Sequence, residues 1–177
     1  GVPGMVFEAH STDYQTRDAL AALVRDHFAI LKVGPGLTFA LREALWALDA
    51  IEREWIEDAR RARLREVVLA RMREQPGHWQ RYYHGEGHAL TIDLQYSLSD
   101  RIRYYWPDPV IEQACQRLFD NLRANPPPLP LISQFLPHAL HALRTGAATS
   151  DPRSLTMAHI SAALDDYHHA CHDHDIH

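Results

Sequence analysis

The sequence predicts an α/β fold in which two consecutive βα units precede a helical region. Residues 5–10 and 28–33 are short apolar runs, and a pattern typical of an amphipathic helix follows each of them. Two βα units in a row imply parallel strands joined by a right-handed crossover. Strand patterns largely disappear after Trp55. We therefore divide the chain into a βαβα part, residues 1–58, and a helical extension, residues 59–177.

The first βα unit places polar residues directly after its strand. Residues 5–10 end in polar groups, and a turn over residues 11–16 follows. Thr16 is a residue type that favours the N-cap of a helix. The helix after it carries side chains at three-and-four spacing on one face, namely Ala19, Leu20, Leu23, Val24 and His27.

The second βα unit has a glycine-rich turn between its strand and its helix. The strand breaks at Gly34-Pro35-Gly36, and we expect Thr38 to cap the longer helix that follows. The apolar stripe predicted for this helix consists of Leu41, Ala44, Leu45, Leu48, Ile51 and Trp55.

The middle of the chain predicts helices without further strands. We expect a helix over residues 60–73 and interpret residues 88–96 as irregular, with a short strand as the alternative. Ser97 or Ser99 is expected to cap a short helix that ends at Pro107.

Three further helices are predicted towards the C-terminus. One covers residues 108–124, another covers residues 132–143 with a break at Pro137, and Asp151-Pro152 begins the last. The histidine-rich tail, residues 168–177, is expected to be poorly ordered.

Composition limits the classes of function. With 177 residues and 46% apolar content the chain can bury a core, but a complete (β/α)₈ barrel needs about 250 residues. A net charge of −5 argues against nucleic acid binding, and no apolar run approaches the length of a membrane span.

Cys115 and Cys171 form no CxxC pair and no signal-peptide pattern is visible, so we expect a cytoplasmic protein. The chain begins on a strand without a methionine, so we expect a fragment or a processed product.

Polar residues cluster where each strand meets its helix. The carboxyl ends of parallel strands share one edge of a sheet, and ligands bind at that edge in α/β folds. We name this cluster the candidate rim. It consists of Glu8, His10, Ser11, Asp13, Lys32, Gly34 and Thr38.

Lys32 is the only lysine in the chain and has two interpretations. A Schiff-base lysine needs burial, a depressed pKa and a neighbouring acid. A lysine at a strand end that contacts a phosphate or a carboxylate needs none of these. We favour the second interpretation.

The other rim residues also have a ligand-binding and a structural interpretation. Gly34-Pro35-Gly36 could present N–H groups to a sugar phosphate, or could serve only the tight turn. Glu8, His10 and Asp13 could share a metal or act as acid and base, or could hydrogen-bond within the loop. Because no second histidine lies at a neighbouring strand end, we predict no metal site.

Arginines and histidines outside the rim are weaker candidates. Arg101 and Arg103 could clamp a phosphate or pair with a partner subunit, because arginine forks suit both. The interpretation we favour is an ion pair that docks the helical region onto the βαβα part. His168 and His172 are four residues apart and could chelate a transition metal, although a solvated tail is the simpler interpretation.

Four motifs occur in an order that is similar to one known family. They are FEAHSTDYQT at residues 7–16, HFAILKVGP at 27–35, LTFALREAL at 37–45 and SLSDRIRYYWP at 97–107, and residues 126–137 fit the same pattern. The chain resembles the non-catalytic subunit of class II D-tagatose-1,6-bisphosphate aldolase, a family also labelled tagatose-6-phosphate kinase. Gly36, residues 84–95 and the histidine tail depart from the family pattern.

The resemblance implies a fold and a function. It covers nearly the whole chain but only about the last two-fifths of a typical member, so the two strands would be the last two of a TIM-type (β/α)₈ barrel. It implies breakdown of galactitol or amino-galactose, where this subunit supports the activity and stability of a separate zinc-dependent catalytic subunit. It implies no catalytic residue and no cofactor in this chain. The alternative is a sugar-phosphate-binding enzyme, aldolase or kinase-like, that uses the candidate rim.

Overall fold

One small parallel sheet confirms the predicted α/β class. The computed structural model describes residues 4–172, and its sheet contains β1 (Phe7–Ala9) and β2 (Phe28–Leu31). The two strands run parallel, with Ala9 opposite Leu31. The helix α1 (Arg17–Arg25) connects them. Both strands are shorter than predicted.

The rest of the described chain is helical, as the sequence predicts after Trp55. The α-helices that follow β2 are α2 (Gly36–Trp55), α3 (Leu64–Glu74), α4 (Gly87–Tyr96), α5 (Pro109–Ala124), α6 (Leu129–Phe135), α7 (Pro137–Thr145) and α8 (Pro152–His172). Short 3₁₀ helices cover Asp58–Arg60, Pro76–His78 and Arg101–Tyr104. The domain boundary between residues 58 and 59 stays a prediction.

Helix starts that were predicted from capping residues are confirmed at three positions. Thr16, Asp108 and Asp151 each accept a hydrogen bond from a backbone N–H two or three residues later, at 3.2, 2.9 and 2.9 Å. These contacts satisfy N–H groups that have no partner inside the helix. Local sequence therefore fixes where α1, α5 and α8 begin.

The interpretation of residues 88–96 as irregular, or as a short strand, is wrong. These residues form most of α4, in which Leu94 is 1% exposed and Gln95 is 4% exposed. The Gln95 side-chain amide donates to the Thr91 carbonyl at 2.9 Å. Packing against the core thus decides the conformation of a segment whose own hydrophobic pattern is weak.

The caps predicted at Thr38 and at Ser97 or Ser99 are also wrong. The helix α2 begins at Gly36, two residues before Thr38. The short 3₁₀ helix after the serines begins behind Asp100, and no side chain caps it. In the tail, α8 continues as far as His172, and residues 173–177 lie outside the described chain. The expected poor order of the tail stays a prediction.

The hydrophobic core lies between α2 and the helices that follow it. Its fully buried side chains include Ala44, Leu48, Ile51, Leu64, Val68, Met72, Ile111, Leu118, Leu122, Ile132 and Leu155. The helix α8 packs across both α1 and α2, so it joins the first βα unit to this core. Trp55, predicted to face the core, is 45% exposed. No helix between residues 4 and 172 has both the length and the apolarity needed to cross a membrane.

The sheet leaves apolar side chains in contact with solvent. Val6 is 65% exposed, Phe7 is 54% exposed and Ile30 is 46% exposed. Parallel sheets are normally covered on both faces, because crossover helices pack on them. In the described chain these three side chains have no such cover.

Candidate functional site

Two exposed side chains of the candidate rim contact the carboxylate of a third, Glu8. Lys32 Nζ donates to Glu8 Oε1 at 2.7 Å, and His10 Nε2 lies 2.6 Å from the same oxygen. The hydrogen bonds from Lys32 and then from His10 lower the pKa of the Glu8 carboxyl group. The side chains of Lys32 and Glu8 are 46% and 39% exposed. Lys32 therefore contacts a carboxylate in solvent and lacks the dry environment that a Schiff-base lysine needs.

Asp13 is the buried acid of the rim, and it holds the turn at the start of α2. Its carboxylate accepts hydrogen bonds from the backbone N–H groups of Gly34 at 2.8 Å and Gly36 at 2.7 Å. A carboxylate at the N-terminus of a helix is also stabilised by the helix dipole. The two N–H groups that the sequence offers to a sugar phosphate are therefore already bound to Asp13.

Glycine at both positions leaves room for this close approach. A Cβ atom on Gly36 would lie 2.7 Å from Asp13 Oδ1, and one on Gly34 would come closer still to Asp13 Oδ2. Such contacts are well inside van der Waals distance. The turn glycines thus allow the contact with Asp13, in line with the structural interpretation of this turn rather than the phosphate-binding one.

The loop after β1 is also fixed by residues that sequence reasoning missed. The Thr12 hydroxyl donates to the Lys32 carbonyl at 3.1 Å, and the Tyr167 hydroxyl donates to the Thr12 carbonyl at 2.9 Å. Ser11 is exposed beside them in the left-handed region, at φ 54°. Because Tyr167 lies on α8, the C-terminal helix holds the rim loop in place.

A second ionic cluster, which the sequence analysis did not find, is buried behind the rim. Arg42 Nε lies 3.5 Å from Asp100 Oδ1, and their side chains are 2% and 0% exposed. Burial raises the pKa of Asp100 and lowers the pKa of Arg42. Both shifts disfavour the charged form of the side chain, because the loss of hydration exceeds the attraction between the two charges.

Thr38 belongs to this cluster and not to a cap. Its hydroxyl lies 2.5 Å from Asp100 Oδ2 and 2.9 Å from the Pro35 carbonyl oxygen. One hydroxyl proton cannot serve both acceptors well. The Thr38 hydrogen bond lowers the pKa of Asp100, but burial outweighs it and the net shift is upward.

Several atoms of the buried cluster lack hydrogen-bond partners among residues 4–172. These atoms are Arg42 Nε, Arg42 Nη2 and Asp100 Oδ1. The Arg42 guanidinium instead lies 3.9 Å from the centre of the Phe39 ring. Asp100 adopts φ 46°, a left-handed conformation that aspartate tolerates better than most residues. The cluster therefore costs free energy that the surrounding core must offset.

Arg101 and Arg103 fix the segment that carries Asp100. Arg103 Nη1 donates to the Ser99 carbonyl at 2.7 Å, and the Arg101 guanidinium lies 3.3 Å from the centre of the Tyr82 ring. Among the described residues neither arginine forms an ion pair, so the docking ion pair expected from the sequence is not their contact. They bind a carbonyl and an aromatic face instead.

The cavity beside the rim is small and acidic. It has a volume of about 270 Å³ and lies between α1, α2 and α8. Asp13, Glu43 and Asp166 line it together with Tyr14 and Tyr167. Three carboxylates repel a phosphate, so this cavity does not suit a sugar-phosphate group.

The histidine pair on α8 shows no closed metal geometry. The rings of His168 and His172 stack with their centres 4.3 Å apart. Between residues 4 and 172, no three histidine, cysteine or acidic side chains converge as a set of metal ligands.

The sequence of this chain matches one family of aldolase subunits. The family model described as D-tagatose-1,6-bisphosphate aldolase subunit GatZ/KbaZ-like matches residues 1–172. The chain therefore belongs to the GatZ/KbaZ-like family, which confirms the resemblance seen in its motifs.

A crystal structure of a probable tagatose 6 phosphate kinase from Sinorhizobium meliloti 1021 is similar to this chain. The two are 51% identical, and their structures superimpose with a TM-score of 0.89. The similarity covers 96% of this chain and 44% of that one. The chain thus spans less than half the length of this structural neighbour.

Proposed function

We propose that this chain is the non-catalytic accessory subunit, or a part of it, of a class II tagatose-1,6-bisphosphate aldolase. Its family is one of aldolase subunits. The observation that carries the non-catalytic assignment is the internal use of the rim: Asp13 accepts from Gly34 and Gly36, and Glu8 is bound to Lys32 and His10. The polar groups of the rim are thus engaged in holding the fold.

In this proposal the chain acts by binding. A partner that binds only the folded state of the catalytic subunit stabilises that state by mass action. The catalytic subunit would hold the zinc, and this chain would supply neither a metal nor a cofactor. The pathway would be the cytoplasmic breakdown of galactitol or amino-galactose.

The proposal includes a place for the sheet in a larger fold. β1 and β2 would be the last two strands of a TIM-type barrel, with residues 59–177 as its helical extension. The exposed side chains of Val6, Phe7 and Ile30 support this, because barrel packing would cover them. The 44% coverage of the structural neighbour is consistent with a longer protein.

Activity measurements on mixtures test the accessory function. Aldolase activity on tagatose 1,6-bisphosphate is measured with the catalytic subunit alone, with this chain alone, and with both. We expect activity or heat resistance to rise only in the mixture. Turnover by this chain alone, or a mixture that equals the catalytic subunit, would contradict the proposal.

The second candidate is a sugar-phosphate-binding enzyme that uses the rim. The description of the structural neighbour as a probable tagatose 6 phosphate kinase favours it, as does a lysine at a strand end. It requires Lys32 to leave Glu8 and bind a phosphate next to an acidic cavity. This candidate predicts that Lys32→Ala abolishes a binding signal for tagatose 6-phosphate in calorimetry, whereas we expect the chain to give no signal that depends on Lys32.

A further inference from the structure

Exposed tyrosine and leucine side chains form a patch with two half-buried arginines on the helical region. The Tyr82 patch, as we call it, consists of Tyr82, Leu98, Arg101, Arg103 and Tyr104. The exposed fractions of Tyr82, Leu98 and Tyr104 are 54%, 56% and 44%. These large side chains remain in water although the chain has a core that could bury such groups.

Direct contacts join the members of the patch. The Arg101 guanidinium lies 3.3 Å from the centre of the Tyr82 ring and 5.8 Å from that of Tyr104. Arg103 Nη2 donates to the Tyr104 hydroxyl at 2.9 Å. Arg103 Nη1 binds the carbonyl of Ser99, the residue after Leu98. These contacts join the two tyrosines and the two arginines into one surface, and Leu98 precedes the Ser99 carbonyl that Arg103 binds.

Neighbouring groups, of which Tyr83 and Ile102 are buried, hold the patch residues in fixed positions. The backbone N–H of Arg101 donates to the Tyr83 hydroxyl at 3.2 Å, and Ile102 is 1% exposed. His78 stacks on Tyr104 with ring centres 5.2 Å apart. Side chains that are already ordered lose little entropy when a partner binds, which is a property of strong interface residues.

The composition of the patch indicates a protein partner with carboxylates. Tyrosine and arginine are the residue types that most often dominate binding energy at protein interfaces. Arg101 and Arg103 are half-buried and form no ion pair among residues 4–172, so a carboxylate of the partner would be the first ion-pair acceptor of either guanidinium. The whole chain carries a net charge of −5. A cationic patch on an otherwise acidic protein therefore orients an acidic partner towards the patch.

We propose that the Tyr82 patch is the surface that docks onto the catalytic subunit of the aldolase. The partner surface would present aspartate or glutamate side chains between apolar groups. This inference rests on the proposed accessory function, and it adds the site and the chemistry of the contact. It also assigns Arg101 and Arg103 to the partner rather than to a phosphate.

Binding measurements with surface variants test the docking site. The affinity of the complete chain for the catalytic subunit is measured by titration calorimetry for the wild type, for Tyr82→Ala/Tyr104→Ala and for Arg103→Glu. We expect each variant to raise the Kd by about tenfold or more, in the range of interface hot spots. We also expect wild-type binding to weaken as salt rises.

Matched variants elsewhere on the surface serve as controls. Arg144→Glu makes the same change in charge on α7, and Leu129→Ala removes an apolar side chain that is 53% exposed. Both should bind like the wild type. Because Arg103 also holds the Ser99 carbonyl, the tyrosine double variant keeps the test valid if Arg103→Glu loses its fold.

The possible outcomes separate this inference from the proposed function. If the wild type binds and both patch variants bind within about twofold of it, the docking site is wrong and the accessory function stands. If the wild type does not bind the catalytic subunit, the accessory function and this inference both fail. Binding of a single-stranded oligonucleotide at the patch in place of the catalytic subunit would also overturn the inference.

Discussion

Two ion pairs in this chain, Glu8–Lys32 and Arg42–Asp100, differ in their exposure to water. Glu8 and Lys32 are 2.7 Å apart and exposed, so water solvates both charges before and after they pair. Arg42 and Asp100 are 3.5 Å apart and almost fully buried, and three of their polar atoms lack partners in the described structure. An exposed pair contributes little to stability, whereas breaking a buried pair leaves an uncompensated charge. The pair that looks functional in the sequence is thus the less consequential one for the fold.

The largest expected effect comes from removing the buried acid. Asp100→Ala leaves the Arg42 guanidinium buried without a counter-charge, and we expect a loss of about 3 to 5 kcal/mol in the free energy of unfolding. Urea unfolding followed by tryptophan fluorescence measures it. Asp100→Asn also removes the counter-charge, but asparagine tolerates the left-handed φ and keeps a polar contact to Thr38, so this variant should lose less than Asp100→Ala. A loss below about 1 kcal/mol for Asp100→Ala would contradict the comparison.

Asp13 should have an intermediate effect. Asp13→Ala leaves the N–H groups of Gly34 and Gly36 without their acceptor, and we expect a loss of about 1 to 3 kcal/mol. Thermal and urea unfolding measure this change. Asp13→Asn retains one carbonyl acceptor and should lose less than Asp13→Ala. Equal stability of all three proteins would show that the turn does not depend on this carboxylate.

The two pairs should also respond to pH with opposite signs. Burial raises the pKa of Asp100 above its ordinary value of 3.8, so the folded state binds this proton more tightly than the unfolded state. Its contribution is fully present below the unfolded pKa and is lost as pH rises through the folded pKa. Glu8 has a lowered pKa, so its contribution is present above the unfolded pKa and is lost as pH falls.

Unfolding experiments at several pH values from 3 upward check these signs. The stability of wild type relative to Asp100→Asn should decrease as pH rises above about 3.8. The stability of wild type relative to Glu8→Gln should increase over the same interval. A flat difference for Asp100→Asn would mean that Asp100 has the same proton affinity in the folded and unfolded states.

The smallest effect is expected at the exposed pair. Lys32→Ala should leave the free energy of unfolding nearly unchanged, and any change should shrink in high salt. A double-mutant cycle with Glu8→Gln isolates the pair. A large coupling energy that does not fall with salt would show that the pair is shielded from solvent in solution.

The sequence predicts the first two βα units because their signals are local. Apolar runs, the Thr16 cap and the glycine turn each lie within a few residues of the element that they define. The meeting of Glu8 with Lys32 also follows, since parallel strands bring their carboxyl ends together. In contrast, α4 has no clear period, and its conformation is set by burial of Leu94 in a core built from distant segments.

The candidate site is less predictable than the fold. The sequence pattern identifies Asp13 as a polar residue near the turn. It does not reveal that the Asp13 carboxylate binds the turn N–H groups that could have bound a phosphate. Arg42 and Asp100 are far apart in sequence, so no motif links them. The sequence does contain one indication of this cluster, because Arg42, Asp49 and Glu52 recur at helical spacing with the core residue Leu45. All three charged residues are buried in the structure. Charges that follow the period of the core indicate a buried polar network.

Heat inactivation of the catalytic subunit is the most direct test of the proposed accessory function. Its half-life at a fixed elevated temperature is measured alone, with the wild-type chain, and with Lys32→Ala. We predict that both forms of the chain lengthen the half-life equally, because the chain acts by binding and the rim pair is structural. If neither form lengthens it, the accessory function is wrong. If the wild type protects and Lys32→Ala does not, the rim is a working part of the site.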